Sequence, residues 1–126
     1  MVLSDRIAHL EELKERFDKS LDTATSGFYI GGMKKADREI SAKSDAVFAT
    51  YAMAAEGLDI PSIDTLFLVT PKSDVEQSIG RILRTDENKK DPIVVDVVDV
   101  NIPKCEKFAQ KRRYQYEKLG YEIVRC

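Results

Sequence analysis

Apolar positions along the chain follow two rhythms, one of helical period and one of continuous short runs. Val2-Leu3 reads as the stub of a strand, and Ser4 is placed to cap a helix in which Ile7, Leu10, Leu13 and Phe17 recur at helical spacing. Residues 23–27 read as a loop, Phe28-Tyr29-Ile30 as a short strand ending at Gly31-Gly32, and residues 34–43 as a second helix. The run Ala46-Val47-Phe48-Ala49-Thr50 is apolar throughout, as expected of a strand covered on both faces. A fourth strand is predicted over 65–69, ended by Pro71. Ser73 or Asp74 can then cap a helix carrying Val75, Ile79, Ile82 and Leu83. Residues 86–91 form a polar loop, and the β-branched run 93–98 is a fifth strand. An amphipathic helix over 104–119 stops at Gly120, and 121–124 is read as a last strand.

Alternating strands and helices predict an α/β fold, a parallel β-sheet flanked by helices on both faces. Such sheets bind ligands at the carboxyl ends of their strands, so the residues just after each strand are the ones to question.

Composition narrows the classes. With 126 residues, 43% hydrophobic and 33% charged, the chain is one domain with a real core and no room for a second of equal size. No apolar run is long enough to span a bilayer and no signal peptide is visible, so the expectation is an intracellular protein, cytoplasmic, nuclear or viral, with no membrane partner. Cys105 and Cys126 form no C-x-x-C, and His9 is the one histidine, so no metal site is expected. A net charge of -2 argues against bulk electrostatic capture of nucleic acid and leaves only local patches.

Two segments after strands carry chemistry. The first, Thr50 to Pro61, puts a hydroxyl at a strand tip, then small residues, then Gly57 and Asp59, so that a hydroxyl, exposed backbone and a carboxylate share one loop. A plain connection, with Gly57 for a turn and Pro61 for rigidity, accounts for it equally well. In the second, Gln77, Arg81 and Arg84 are spaced by four and three residues, so one helical face carries an amide and two guanidinium groups. Gly80 inside that helix costs about 1 kcal/mol relative to Ala and removes a side chain beside the arginines. A solvated face balanced by Asp74 and Glu76 has no need of that glycine, whereas guanidinium forks match phosphate oxygens.

Ala49-Thr50, Glu56-Gly57-Leu58-Asp59-Ile60 and Gln77-x-x-Gly80-Arg81-x-x-Arg84 together resemble motifs V and VI of superfamily 2 helicases, closer to the DExH branch of repair, viral and phage enzymes than to the DEAD-box branch. Val2-Leu3-Ser4-Asp5-Arg6 resembles motif IV, and Gly31-Gly32 matches a loop near the nucleic-acid strand in that family. The DEAD-box branch usually has His where this chain has Gln77, and Ile82-Leu83 departs from the Thr-Gly often found between the two arginines in other branches. Neither G-x-x-x-x-G-K-[ST] nor D-E-x-[DH] occurs, and in that family both belong to the first RecA-like domain.

The resemblance therefore implies a second, C-terminal RecA-like domain, residues 1–126, cut from a longer helicase and inactive alone. ATP and Mg²⁺ would serve the complete two-domain enzyme, with neither bound by this domain by itself. Partners would be the missing N-terminal RecA-like domain and a DNA or RNA strand, DNA being favoured. Arg84 would be the arginine finger, Arg81 a second γ-phosphate contact and Gln77 a polar contact near the nucleotide or its water. Glu56, Gly57, Asp59 and Gly80 would face the nucleotide, and Thr50, Arg6, Gly31 and Gly32 the nucleic-acid strand. A rival expectation is a free-standing nucleic-acid- or protein-binding regulatory module on the same fold. A flavodoxin-like flavin binder leaves the Gln-Gly-Arg-Arg helix unexplained.

The last helix region, residues 104–125, carries seven basic against three acidic residues. Cys105, Phe108, Ala109, Tyr116 and Leu119 form its apolar stripe, with Lys104, Lys107, Lys111 and Lys118 on the opposite flank. A solvated outer face is favoured over phosphate contact. Tyr114 and Tyr116 could stack on bases, though the helical spacing favours a core role. Cys105 is expected to be buried, and His9 to be a surface residue without a role.

Overall fold

The computed structural model describes residues 1–55, 60, 63–70, 72, 75, 79 and 91–125. Five strands, β1 (Val2–Ser4), β2 (Ser26–Tyr29), β3 (Ala46–Thr50), β4 (Thr65–Leu68) and β5 (Ile93–Asp96), form one sheet in the order β2-β3-β1-β4-β5. All four pairings are parallel. Around it lie α1 (Ile7–Ser20), α2 (Lys35–Ala42), the short α3 (Tyr51–Ala55) and α4 (Pro103–Lys118). This is the α/β architecture that the alternation of elements predicts.

Register divides the side chains between two faces. Leu3 pairs with Ala49 and Leu68, and Leu66 with Val94, so these share one face. There they join Tyr51, Ala54, Ile60, Ile63, Val75, Ile79 and Tyr116 in the core. Each of the large aliphatic side chains buried there contributes about 2 kcal/mol. On the other face Val2 pairs with Phe48 and Phe67, and α1 covers the β1–β3–β2 half. Leu10 is fully buried, Phe17 meets Phe48 edge-to-face at 5.9 Å, and Lys14 lies over the Phe28 ring at 5.3 Å. The β4–β5 half of that face leaves Phe67, Ile93 and Val95 exposed.

Helix ends follow local chemistry with one adjustment. Ser4 belongs to β1 and Arg6 is the N-cap of α1, without a side-chain cap bond; Ser4 Oγ instead accepts the Arg6 N–H at 3.1 Å. At the other end of the chain, α4 closes on Gly120 at φ +83°, with Gly120 N–H donating to Glu117 O and Tyr121 N–H to Tyr116 O, both at 3.0 Å. That pattern is a Schellman motif, and it needs the left-handed residue that glycine supplies.

Three sequence expectations change here. Residues 121–124 are not a strand: the Tyr121 N–H is consumed in closing α4, Ile123 and Val124 are exposed, and the sheet has five strands. Cys105 is only partly buried. The buried face of α4 carries Arg112 and Tyr116, not the full predicted apolar stripe, and Leu119 is exposed.

Candidate functional site

The carboxyl ends of the strands are where the sequence places its candidate site residues, and the register brings four of them to one edge. Thr50, the last residue of β3, pairs with Ser4, two residues before Arg6. Tyr29, the last residue of β2, pairs with Ala49, and Gly31 and Gly32 follow it. Thr50, Arg6, Gly31 and Gly32 thus lie along three adjacent strands, β2-β3-β1. Arg6, Gly31 and Gly32 are exposed and Thr50 is half-buried. Gly32 has φ +84° with open space around its Cα, so its requirement is conformational and not steric.

Thr50 Oγ1 accepts the Met53 N–H at 3.3 Å, which starts α3. A hydroxyl that accepts still has its proton to donate, and at this edge it can donate to an anion. His9 is half-buried, contrary to the expected surface position, and its Nδ1 lies 3.2 Å from Ser4 Oγ.

Glu56, Gly57, Asp59, Gln77, Gly80, Arg81 and Arg84 lie outside the described residues. What is described is the frame from which their segments leave. Tyr51 OH donates to Thr70 O at 3.1 Å, and Asp5 N–H donates to Thr70 Oγ1 at 3.0 Å, so the exits of β1, β3 and β4 are tied together. Lys72 Nζ sits 3.9 Å from Asp5 Oδ1 and 5.5 Å over the Tyr51 ring. Burial pushes the Tyr51 hydroxyl well above its ordinary range, so it acts as a neutral donor.

Beside this frame lies a polar cluster that periodicity did not reveal. Asp96, at the end of β5, accepts from Arg112 Nε at 2.9 Å, Arg112 Nη2 at 2.7 Å and Tyr116 OH at 2.8 Å. Burial alone would lower the Arg112 guanidinium; the bonds and charge of Asp96 outweigh it and hold it raised. Burial, with Asp96 alongside, likewise raises Tyr116. The alternation in Val94, Asp96 and Val98 was the available signal, since it puts a carboxylate on the inward side of β5 and so demands a buried partner.

A cavity of about 640 Å³ runs along the α1 side of the sheet, from Met1, Asp45 and Thr65 past Phe48 and Phe67 to Val69. It is mainly apolar, and none of Thr50, Arg6, Gly31 and Gly32 lines it. Among the described residues, no group of His, Cys, Asp and Glu is placed to hold a metal ion, and no helix is long and apolar enough to cross a membrane.

No protein-family model matches the chain. In sequence it is 37% identical over 124 residues, 98% of its length, to a protein of Acanthamoeba polyphaga mimivirus named "Putative ATP-dependent RNA helicase". The chain spans 24% of that protein's length. In fold it is similar to the C-terminal part of the Fun30 ATPase domain, with a TM-score of 0.68 at 13% identity, covering 86% of this chain and 37% of the other. A DEAD box protein from the hyperthermophile Methanococcus jannaschii gives 0.65 at 17% identity, covering 97% and 33%. The chain is homologous to a segment of that mimivirus protein, and its fold is a RecA-like α/β fold.

Proposed function

We propose that this domain is the second half of an ATP-driven nucleic-acid motor, a helicase or translocase, supplying an arginine finger and backbone contacts to the strand. The observation that carries the reading is the 37% identity, across 98% of the chain, to the mimivirus protein named as an ATP-dependent RNA helicase. It is supported by the gathering of Thr50, Arg6, Gly31 and Gly32 at one sheet edge.

In this reading ATP lies between the domain and an N-terminal RecA-like partner that brings the phosphate loop and the Mg²⁺ ligands, since the sequence here carries neither motif. Charge builds on the transferred γ-phosphoryl group in the transition state, and a cation delivered from a second surface stabilises it only on closure. Arg84 is the finger, Arg81 a second phosphate contact and Gln77 a polar contact near the water. Glu56, Gly57, Asp59 and Gly80 line the nucleotide. Thr50, Arg6 and the Gly31-Gly32 backbone hold strand phosphates, which positions a strand without reading its sequence. The contacts proposed fit either nucleic acid. The mimivirus relative's name speaks of RNA, whereas the motif resemblance favours DNA.

The test is strand-stimulated ATP hydrolysis, with single-stranded RNA and DNA in parallel, by the 126-residue chain alone and by the chain joined to a phosphate-loop-bearing partner half. Silence alone and turnover when joined are expected, with Arg84→Ala abolishing turnover but not nucleotide binding. Full turnover by Arg84→Ala removes the finger assignment. Silence of both preparations turns the reading to a free-standing binding module.

A further inference from the structure

The most deeply buried charge among the described residues sits on α4, a helix whose other basic side chains largely face solvent. Arg112 is 1% exposed, and its bonds run to two different elements. Nε and Nη2 grip Asp96 of β5, while Nη1 donates to Lys72 O at 2.6 Å. Three residues further along α4, Gln115 Oε1 accepts the Val75 N–H at 2.8 Å. Tyr116 adds the apolar part, packing in the core that includes Val75 and Ile79. Residues 112, 115 and 116 share one helical face by spacing. That face holds the chain leaving β4 at a carbonyl and at an amide three residues later. A helix that only covered the sheet would do as well with an apolar residue at 112, because burying a guanidinium is costly and its pairing with a carboxylate roughly offsets that cost. The bond to a backbone carbonyl is what an apolar residue could not supply.

We infer that Arg112 and Gln115 are positioning residues for the segment leaving β4, which they hold at the Lys72 carbonyl and the Val75 amide. The inference rests on the reading proposed above, in which that segment carries Gln77, Arg81 and Arg84; Gln77 follows Val75 by two residues. Neither Arg112 nor Gln115 touches nucleotide in this scheme. Both act through the backbone, fixing where the downstream side chains begin, and a displacement of about 1 Å at a reacting centre can cost roughly 10²-fold in rate.

The test uses Gln115→Leu, which fills a similar volume without an acceptor, and Gln115→Glu, which keeps an acceptor oxygen at the same reach. Residue-resolved amide hydrogen exchange on the 126-residue chain should show Val75 exchanging roughly fivefold faster in the Leu variant, the factor expected for one hydrogen bond of ordinary net strength. Protection should be near normal in the Glu variant, and Leu66 and Val94 should be unchanged in both. In the joined two-domain protein, Gln115→Leu should lower kcat for strand-stimulated hydrolysis roughly tenfold while KM for ATP stays within about twofold, with Gln115→Glu restoring kcat. Val47→Ala, destabilised in β3, is the control and should not reproduce that split.

Unchanged Val75 exchange in Gln115→Leu overturns the inference. Lost protection with full turnover also overturns it, provided Arg84→Ala is inactive in the same protein. Full turnover in both Gln115→Leu and Arg84→Ala overturns instead the arginine reading on which it rests, so the two failures are separable.

Discussion

The Arg112–Asp96 pair offers the sharpest energetic test of the fold, because each partner is removed from water to a different degree. The Arg112 side chain is 2% exposed and that of Asp96 18%. Asp96→Leu strands a guanidinium that has almost no access to water and also removes the acceptor of the Tyr116 hydroxyl. Breaking a buried pair by deleting one partner costs about 3–5 kcal/mol. The surviving bond from Nη1 to Lys72 O keeps this case near the lower end, about 3 kcal/mol, with about 1 kcal/mol more for the orphaned hydroxyl. Arg112→Met leaves a carboxylate that still reaches solvent and still accepts from Tyr116, so about 2–3 kcal/mol is expected, including the Lys72 carbonyl left without its donor. The double variant buries no charge and should be less destabilised than the sum of the singles by about 2 kcal/mol or more. Urea denaturation at neutral pH measures all four proteins, with an unchanged m-value as the condition for comparing them. Additive single effects, or a loss below about 1 kcal/mol for Asp96→Leu, would refute the reasoning.

Other consequences can be checked more briefly. Gly27→Ala would place a Cβ 2.8 Å from Ser41 Cα, Cβ and Oγ, where β2 and α2 touch, and should cost about 1–3 kcal/mol in the same assay; a neutral result would mean that α2 shifts freely. The buried Met1 amine, lowered by desolvation against the opposing pull of Asp64, titrates at about 6 instead of 8.0. The unfolded chain therefore binds more protons between those values, so the chain's stability should be complete above pH 8 and fall by about 2 kcal/mol as pH drops toward 6. Acetylating the amine should abolish that step, and its persistence after acetylation would assign it elsewhere. Thr50→Ala should weaken strand binding by the joined protein alike for all sequences, and Thr50→Ser should restore it. An unchanged affinity in Thr50→Ala would remove the proposed phosphate contact.

The alternation of short apolar runs with amphipathic stretches was enough to predict a parallel sheet, because a strand buried on both faces leaves continuous runs such as Ala46 to Thr50. Glycine chemistry at Gly120 likewise marked the end of the last helix, since only a left-handed residue closes that turn cheaply. The same local reasoning misread Tyr121 to Val124 as a strand. Aromatic and β-branched residues gather there, but pairing depends on whether a neighbouring edge and a free N–H are available, which no window of sequence records. It also gave Arg112 no place apart from the seven basic residues of 104–125, because a guanidinium belongs in solvent unless a partner waits for it inside.

Residue types and spacing determined the fold class, the strand-end positions of Thr50, Arg6, Gly31 and Gly32, and the helicase resemblance, since these follow from local periodicity and motif order. Tertiary structure alone decided the strand order β2-β3-β1-β4-β5, which sets those four residues along one edge although they are up to 44 positions apart in sequence. It alone decided that Asp96, Arg112 and Tyr116 meet, and that Lys72 and Val75 are held by α4. The physical reason is that a buried charge is tolerated only beside its complement, and that complement is chosen by packing between elements distant in the chain.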